Sequence, residues 1–161
     1  MSIARRILLA ASTNPWIRER AMRTPFVTRS VSRFMPVEHL DDALAAAGRQ
    51  RAQRVGAILT HLGENLTTVA AAEEVTRHYL DVLDRVHAAA LDAQISVKPT
   101  QLGLDVSDEV CDRNLRRLID RAAARDNFVW IDMERAQYVD RALALVRRAR
   151  SPLVGVALQA C

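Results

Sequence analysis

Downstream of residue 53 the chain alternates two hydrophobic patterns: short apolar runs, and longer stretches in which apolar positions return every three or four residues. The runs are Val55 to Leu62, Ile95 to about Gln101, Phe128 to Glu134 and Leu153 to Gln159. Their length, β-branched content and near-continuous apolarity predict strands covered on both faces. The stretches around them carry a helical period. Leu40, Ala43, Leu44 and Ala47 precede the first run; Val75, Tyr79, Val82, Leu83, Val86 and Ala90 follow it. Val110, Leu115, Leu118, Ile119 and Ala122 mark a third helix, and a fourth is expected over about Ala136 to Ala149. Thr67 or Thr68 can cap the second helix, with Glu73 and Glu74 near its positive end, and Ser107 can cap the third ahead of Asp108 and Glu109.

Strands alternating with amphipathic helices imply right-handed crossovers and a parallel sheet. Polar residues close each run at its carboxyl end: Glu64 and Asn65, Lys98, Asp132 and Glu134, and Gln159. A (β/α) barrel builds its active site from that rim. The expected class is therefore α/β, the first half of a (β/α)8 TIM-type barrel: four parallel strands with helices over residues 38–161, preceded by N-terminal helices in a basic segment over 1–37. No GxGxxG or GxxxxGKS/T follows any strand, so a nucleotide-phosphate turn of either kind is unsupported.

Composition narrows the class further. Half of the 161 residues are hydrophobic, enough for a real core, while no apolar run approaches the ~20 residues that cross a bilayer. Cys111 and Cys161 stand far apart without a Cys/His cluster, which argues against a zinc site or disulfide framework and for a reducing, cytoplasmic setting. The net charge of +4 is uneven: residues 1–35 hold seven arginines against Glu19, a balance of +6, and the remainder carries −2. Asn14-Pro15 and Thr24-Pro25 break this leader into short pieces. It reads as a solvated cap, an organellar presequence, or a surface drawn to anionic lipid as a peripheral contact at the inner face of the membrane. Nucleic acid is not an expected partner, because no aromatic interleaving or known motif accompanies the arginines.

Lys98 is the only lysine among the 23 Lys and Arg residues. Where arginine supplies every other positive side chain, a lone ammonium at a strand end suggests a site that uses a compact point charge. On residue type alone the other rim positions stay open. Asp132 could be a helix-capping carboxylate, Gln159 a strand-end amide, Glu64 a solvated turn residue and Met133 core filler.

Five segments occur in a telling order: Arg33-Phe34-Met35-Pro36; Leu62-Gly63-Glu64-Asn65; Ile95-Ser96-Val97-Lys98 with Gln101-Leu102-Gly103-Leu104-Asp105; Ile131-Asp132-Met133-Glu134; and Val156-Ala157-Leu158-Gln159-Ala160. In them the chain resembles the monofunctional proline dehydrogenases, flavoenzymes built on a (β/α)8 barrel. The resemblance implies oxidation of L-proline to Δ1-pyrroline-5-carboxylate, with hydride passing to FAD and electrons onward to a membrane quinone. It implies that Lys98 lies beside the substrate carboxylate and that Asp132 is the active-site aspartate at the end of the third strand. It also implies that Met133 and Gln159 touch the flavin, and that Glu64 pairs with a substrate-binding arginine of the family.

The chain departs from that pattern in length. A full barrel takes about 250 residues, and the family's later strands, with the helix that carries paired arginines and a tyrosine over the substrate, have no counterpart here. Four parallel strands that should close on a second half leave two open edges and an apolar inner face. The chain is therefore expected to dock to a missing barrel half or to form a homo-oligomer. Pro99 stands where the family usually has an aliphatic residue and would remove a ladder donor from a central strand; Val37 stands where glycine is more usual. Two other readings remain: a non-catalytic truncated fragment that self-associates, and a Schiff-base lyase using Lys98, which needs a neutral amine that a neighbouring carboxylate disfavours.

Overall fold

The computed structural model describes residues 39–63 and 66–158. The helical segment expected over 1–37 lies outside them. The chain divides into two compact units, residues 1–43 and 44–161, with the boundary inside the first described helix.

Helix α1 (Leu40–Ala52) precedes β1 (Ala57–Thr60), α2 (Val69–Ala88) precedes β2 (Ala93–Val97), α3 (Asp108–Ala124) precedes β3 (Val129–Asp132), and α4 (Val139–Ala149) precedes β4 (Val154–Ala157). Short 3-10 helices follow β2 (Pro99–Leu102) and precede α4 (Ala136–Tyr138). All pairings are parallel, and the strand order β1-β2-β3-β4 is the order in sequence. An order that never reverses is that of a singly wound barrel wall, whereas a doubly wound sheet changes direction at a switch point. The four strands with their helices are thus part of a (β/α) barrel.

Alternation along the strands separates two faces. Ala93, Ile95, Val97, Val129 and Ile131 are buried beneath the helices, while Gln94, Ser96, Trp130 and Asp132 alternate with them on the other face and are only half-buried. Tyr79 and Leu83 from α2 and Leu115 and Leu118 from α3 complete the covered core. On the inner face Trp130 lies against β4, its Nε1–H donating to Gln94 Oε1 at 2.7 Å. A Cβ at Gly155 would come within 2.6 Å of Trp130 Cζ3, so that approach requires a glycine.

Local chemistry sets the element ends. Thr68 Oγ1 accepts from the Ala71 N–H and Ser107 Oγ from the Val110 N–H, each at 3.2 Å, as N-caps do. Glu73 does not serve the end of its own helix. It reaches across to Arg113 and Arg117 of α3, and Asp84 likewise takes Arg121 and Arg125. The helices stop without glycine: Arg54, Ala90, Asp126 and Arg150 adopt left-handed φ of 60°, 48°, 52° and 45°. After α2, the Ala90 N–H donates to His87 O and the Leu91 N–H to Val86 O. These are the paired bonds of a Schellman turn, which satisfy the last helical carbonyls.

The second apolar run divides at Lys98, a correction to its expected extent. The strand ends at Val97, and Pro99 opens a 3-10 helix rather than interrupting a ladder. Its fixed φ and missing N–H suit the first position of a helix. The strands at Val55 to Leu62 and Leu153 to Gln159 are likewise shorter than the apolar runs that contain them.

Candidate active site

The 3-10 helix after β2 decides where the lone lysine sits. Lys98 is its N-cap, with extended backbone, and its carbonyl accepts from the Gln101 and Leu102 N–H groups at 3.0 and 3.3 Å. Gly103 ends the turn with φ +97°, and a Cβ there would lie 2.7 Å from Val110 Cγ1; conformation and space both require glycine. The register Val97↔Ile131 carries the chain from β2 and β3 onto one rim. There Lys98 Nζ lies 3.3 Å from Asp132 Oδ2, with the two side chains 19% and 36% exposed. The pair is shielded enough to hold its geometry and open enough to meet a ligand.

Two further bridges brace this rim. The fully buried Thr100 donates through its backbone N–H to Glu134 Oε2 at 3.1 Å and through Oγ1 to Glu134 Oε1 at 2.6 Å, tying the turn after β2 to the chain leaving β3. Buried Gln101 reaches the other way. Its Nε2 donates to His61 O at 2.7 Å and Gly63 O at 2.6 Å, while its Oε1 accepts from the Lys98 N–H and the Tyr79 hydroxyl, each at 3.1 Å. The Tyr79 hydroxyl also accepts from the His61 N–H at 2.9 Å and lies 3.0 Å from Ser96 O, which competes for its proton.

Burial raises the Tyr79 phenol above its ordinary range, so it remains a hydroxyl. Burial, then the nearby His61 ring 4.9 Å away, lowers His78 and favours neutral imidazole. Cys111 is pushed up to about 12 by burial first and then by Asp108 and Asp112, which makes it an inert core thiol rather than a nucleophile.

Of the residues singled out in the sequence, Lys98 and Asp132 come together. Met133 is buried just beyond β3, its N–H donating to Ala157 O at 3.3 Å. Glu64 and Gln159 lie outside the described residues; β1 and β4, which precede them, end on the same rim as β2 and β3. Gln101, Thr100 and Tyr79 were not recognisable as site residues from periodicity. One signal was available: a proline directly after Lys98 marks a helix start, and Gln101 stands at its third position, where a side chain reaches back to the cap N–H.

A family model described as "Proline dehydrogenase" matches residues 43–160. The chain belongs to the proline dehydrogenase family. Proline dehydrogenase 1 of Bacillus subtilis subsp. natto is 26% identical over 130 residues, covering 80% of this chain and 43% of that protein. The proline dehydrogenase of Deinococcus radiodurans is 25% identical over 162 residues, covering 96% of this chain and 52% of the relative. The chain therefore spans about half the length of the curated relatives it matches. Among solved structures, proline utilization A of Bdellovibrio bacteriovorus, inactivated by N-propargylglycine, superposes with a TM-score of 0.66 at 18% identity, over 76% of this chain and 16% of the other. A variant of proline utilization A from Bradyrhizobium japonicum gives 0.63 at 23%, over 83% and 16%. At such identities these structures speak to the fold. Among the described residues no helix is long and apolar enough to cross a membrane.

Proposed function

We propose that the chain carries half of a flavin-dependent proline dehydrogenase site, for oxidation of L-proline to Δ1-pyrroline-5-carboxylate. The observation that carries the reading is the Lys98–Asp132 pair, 3.3 Å apart on the carboxyl-end rim of a barrel wall. A compact ammonium there binds a substrate carboxylate, and Asp132 holds its direction.

The donor set also fits one edge of a flavin. Lys98, the backbone at the end of β4 and the exposed Leu158 border the rim. Bound FAD would supply the acceptor for the hydride lost from proline as its C=N bond forms, with the amine proton released to solvent. The charge on Lys98 favours the electron density gathering beside it. In this reading the Gln159 amide donates to the ring system, Met133 backs it from its buried position, and Glu64 pairs with an arginine of the complementary half.

Closure of the barrel is the other requirement. Ile58 of β1 and Leu158 beyond β4 are 60% and 73% exposed, one beside each open edge. They suit a complementary barrel half or a second copy of this chain. Electrons would continue to a quinone, with the arginine-rich residues 1–35 making the peripheral membrane contact. The exposed edges equally favour a second reading, a self-associating chain without catalysis. The visible spectrum of the purified chain, taken after incubation with FAD and removal of the excess, decides between them. Retained flavin absorbance that bleaches on adding L-proline supports the enzyme; a colourless protein overturns it for this chain and leaves the second.

A further inference from the structure

The chain leaving β1 towards Glu64 and the residue Lys98 belong to different strands, and one side chain bonds to both. Gln101 spends all its hydrogen-bonding capacity on that junction: two donors on the carbonyls of His61 and Gly63, two acceptor positions on the Lys98 N–H and the Tyr79 hydroxyl. It is 1% exposed, so none of these bonds is exchanged freely with water. Tyr79 closes the ring by accepting from the His61 N–H. Displacement of the β1 turn would leave a buried amide donor unpaired, and displacement of Lys98 would leave an acceptor unsatisfied, so both are opposed.

We propose that Gln101, held by Tyr79, is a positioning residue that fixes the backbone of Lys98 and the turn at His61 and Gly63 in one register, so that the Lys98–Asp132 pair meets the substrate in a fixed place. The functional half of this statement rests on the proline dehydrogenase reading; the mechanical half does not. Gln101 acts through Lys98 rather than on substrate. Gln101→Met keeps the length and removes the amide's bonds, whereas Gln101→Glu keeps an acceptor near the Lys98 N–H but loses the donor to the His61 and Gly63 carbonyls.

The sole lysine makes the test direct. Labelling the full chain with 15N-lysine and 15N-tryptophan gives one lysine amide, that of Lys98, and two indoles, of Trp16 and Trp130; Trp16→Phe assigns that of Trp130, the control bonded to a different partner. In Gln101→Met the Lys98 amide should exchange with solvent about 5- to 10-fold faster, as loss of one buried hydrogen bond implies, with Trp130 unchanged. Gln101→Glu, which sets an oxygen against the His61 and Gly63 carbonyls, should speed the exchange as well. An unaltered Lys98 rate in Gln101→Met overturns the proposal. If Gln101→Met also exposes Trp130, the fold has been lost, and Tyr79→Phe decides. Losing one partner of Gln101 should still speed Lys98 exchange measurably, and no change overturns the proposal. Titration with L-proline separates the two halves. A proline-dependent shift of the Lys98 amide in the native chain, weakened in Gln101→Met, supports both. No shift in the native chain, with the exchange effects intact, sinks the proline reading and leaves the positioning role standing.

Discussion

The two faces of the sheet are made from the same strands and could hardly differ more. Ile95, Val97, Val129 and Ile131 face the helices and are fully buried, while their neighbours Gln94, Ser96, Trp130 and Asp132 face the barrel interior half-covered. The helix-covered face is finished; the inner face is finished only where Trp130 lies against β4 and where the rim residues bond to one another. Stability in this molecule is therefore drawn from one side of the sheet, and the chemistry from the other and its carboxyl-end rim. That division is general for the barrel fold, and the exposure of Ile58 on the inner face makes it measurable.

The largest effect follows directly. Ile131→Ala should cost about 2–5 kcal/mol, because the covered face cannot collapse around the lost atoms. Ile58→Ala, at an inner position 60% exposed, should cost less than about 0.5 kcal/mol. Urea unfolding of both variants at two protein concentrations checks the contrast. An Ile58→Ala cost that grows with protein concentration would mean that a second copy covers this face.

Part of this division was legible beforehand. The near-continuous apolar runs gave the parallel strands, the polar residues at their ends gave the rim, and the position of Lys98 and Asp132 after adjacent runs anticipated their pairing. The bracing was not legible. Tyr79 has the spacing of a core residue and is one, but its hydroxyl emerges at the rim, and periodicity does not register a single oxygen. Glu73 looked like an N-terminal helix charge because sequence distance places it there; its arginines are 40 and 44 residues away. The helix ends were hard to place for a related reason. Their left-handed positions carry Arg54, Ala90, Asp126 and Arg150, with no glycine to mark them.

Those turns lie at the amino-end rim, opposite Lys98, and offer an intermediate test of the division. Ala90 holds φ 48°, a conformation that a Cβ disfavours. Ala90→Gly relieves that strain but loosens the unfolded chain, and where the native φ is positive the first effect dominates. A gain of up to about 1 kcal/mol is expected, read as a rise in thermal midpoint. The Lys98 amide exchange rate should change only as far as global stability does. A selective change at Lys98 would show that the two rims are coupled and that the separation drawn above is too sharp.

The smallest effect concerns the helical layer alone. Hydrogen bonds from Arg117 lower Glu73 from its ordinary 4.5, with desolvation opposing, and hydrogen bonds from Arg125 lower Asp84 from 3.8. In Asp112, desolvation opposes but hydrogen bonds from Arg116 and Arg148 prevail. A carboxyl group whose folded pKa is depressed contributes stability above its unfolded value and loses that contribution as pH falls through the folded one. These pairs should therefore stabilise the fold at neutral pH and fade below about pH 4, each by about 0.2–1 kcal/mol because they are solvent-accessible and screened. Glu73→Gln and Asp84→Asn together should lower stability at pH 7, flatten its decline in acid, and do both less at high salt. These pairs lie between the helices, so the same substitutions should leave the Lys98 environment unmoved. A shift of the Lys98 amide in the double variant would mean that the helical layer and the rim share more than a sheet between them.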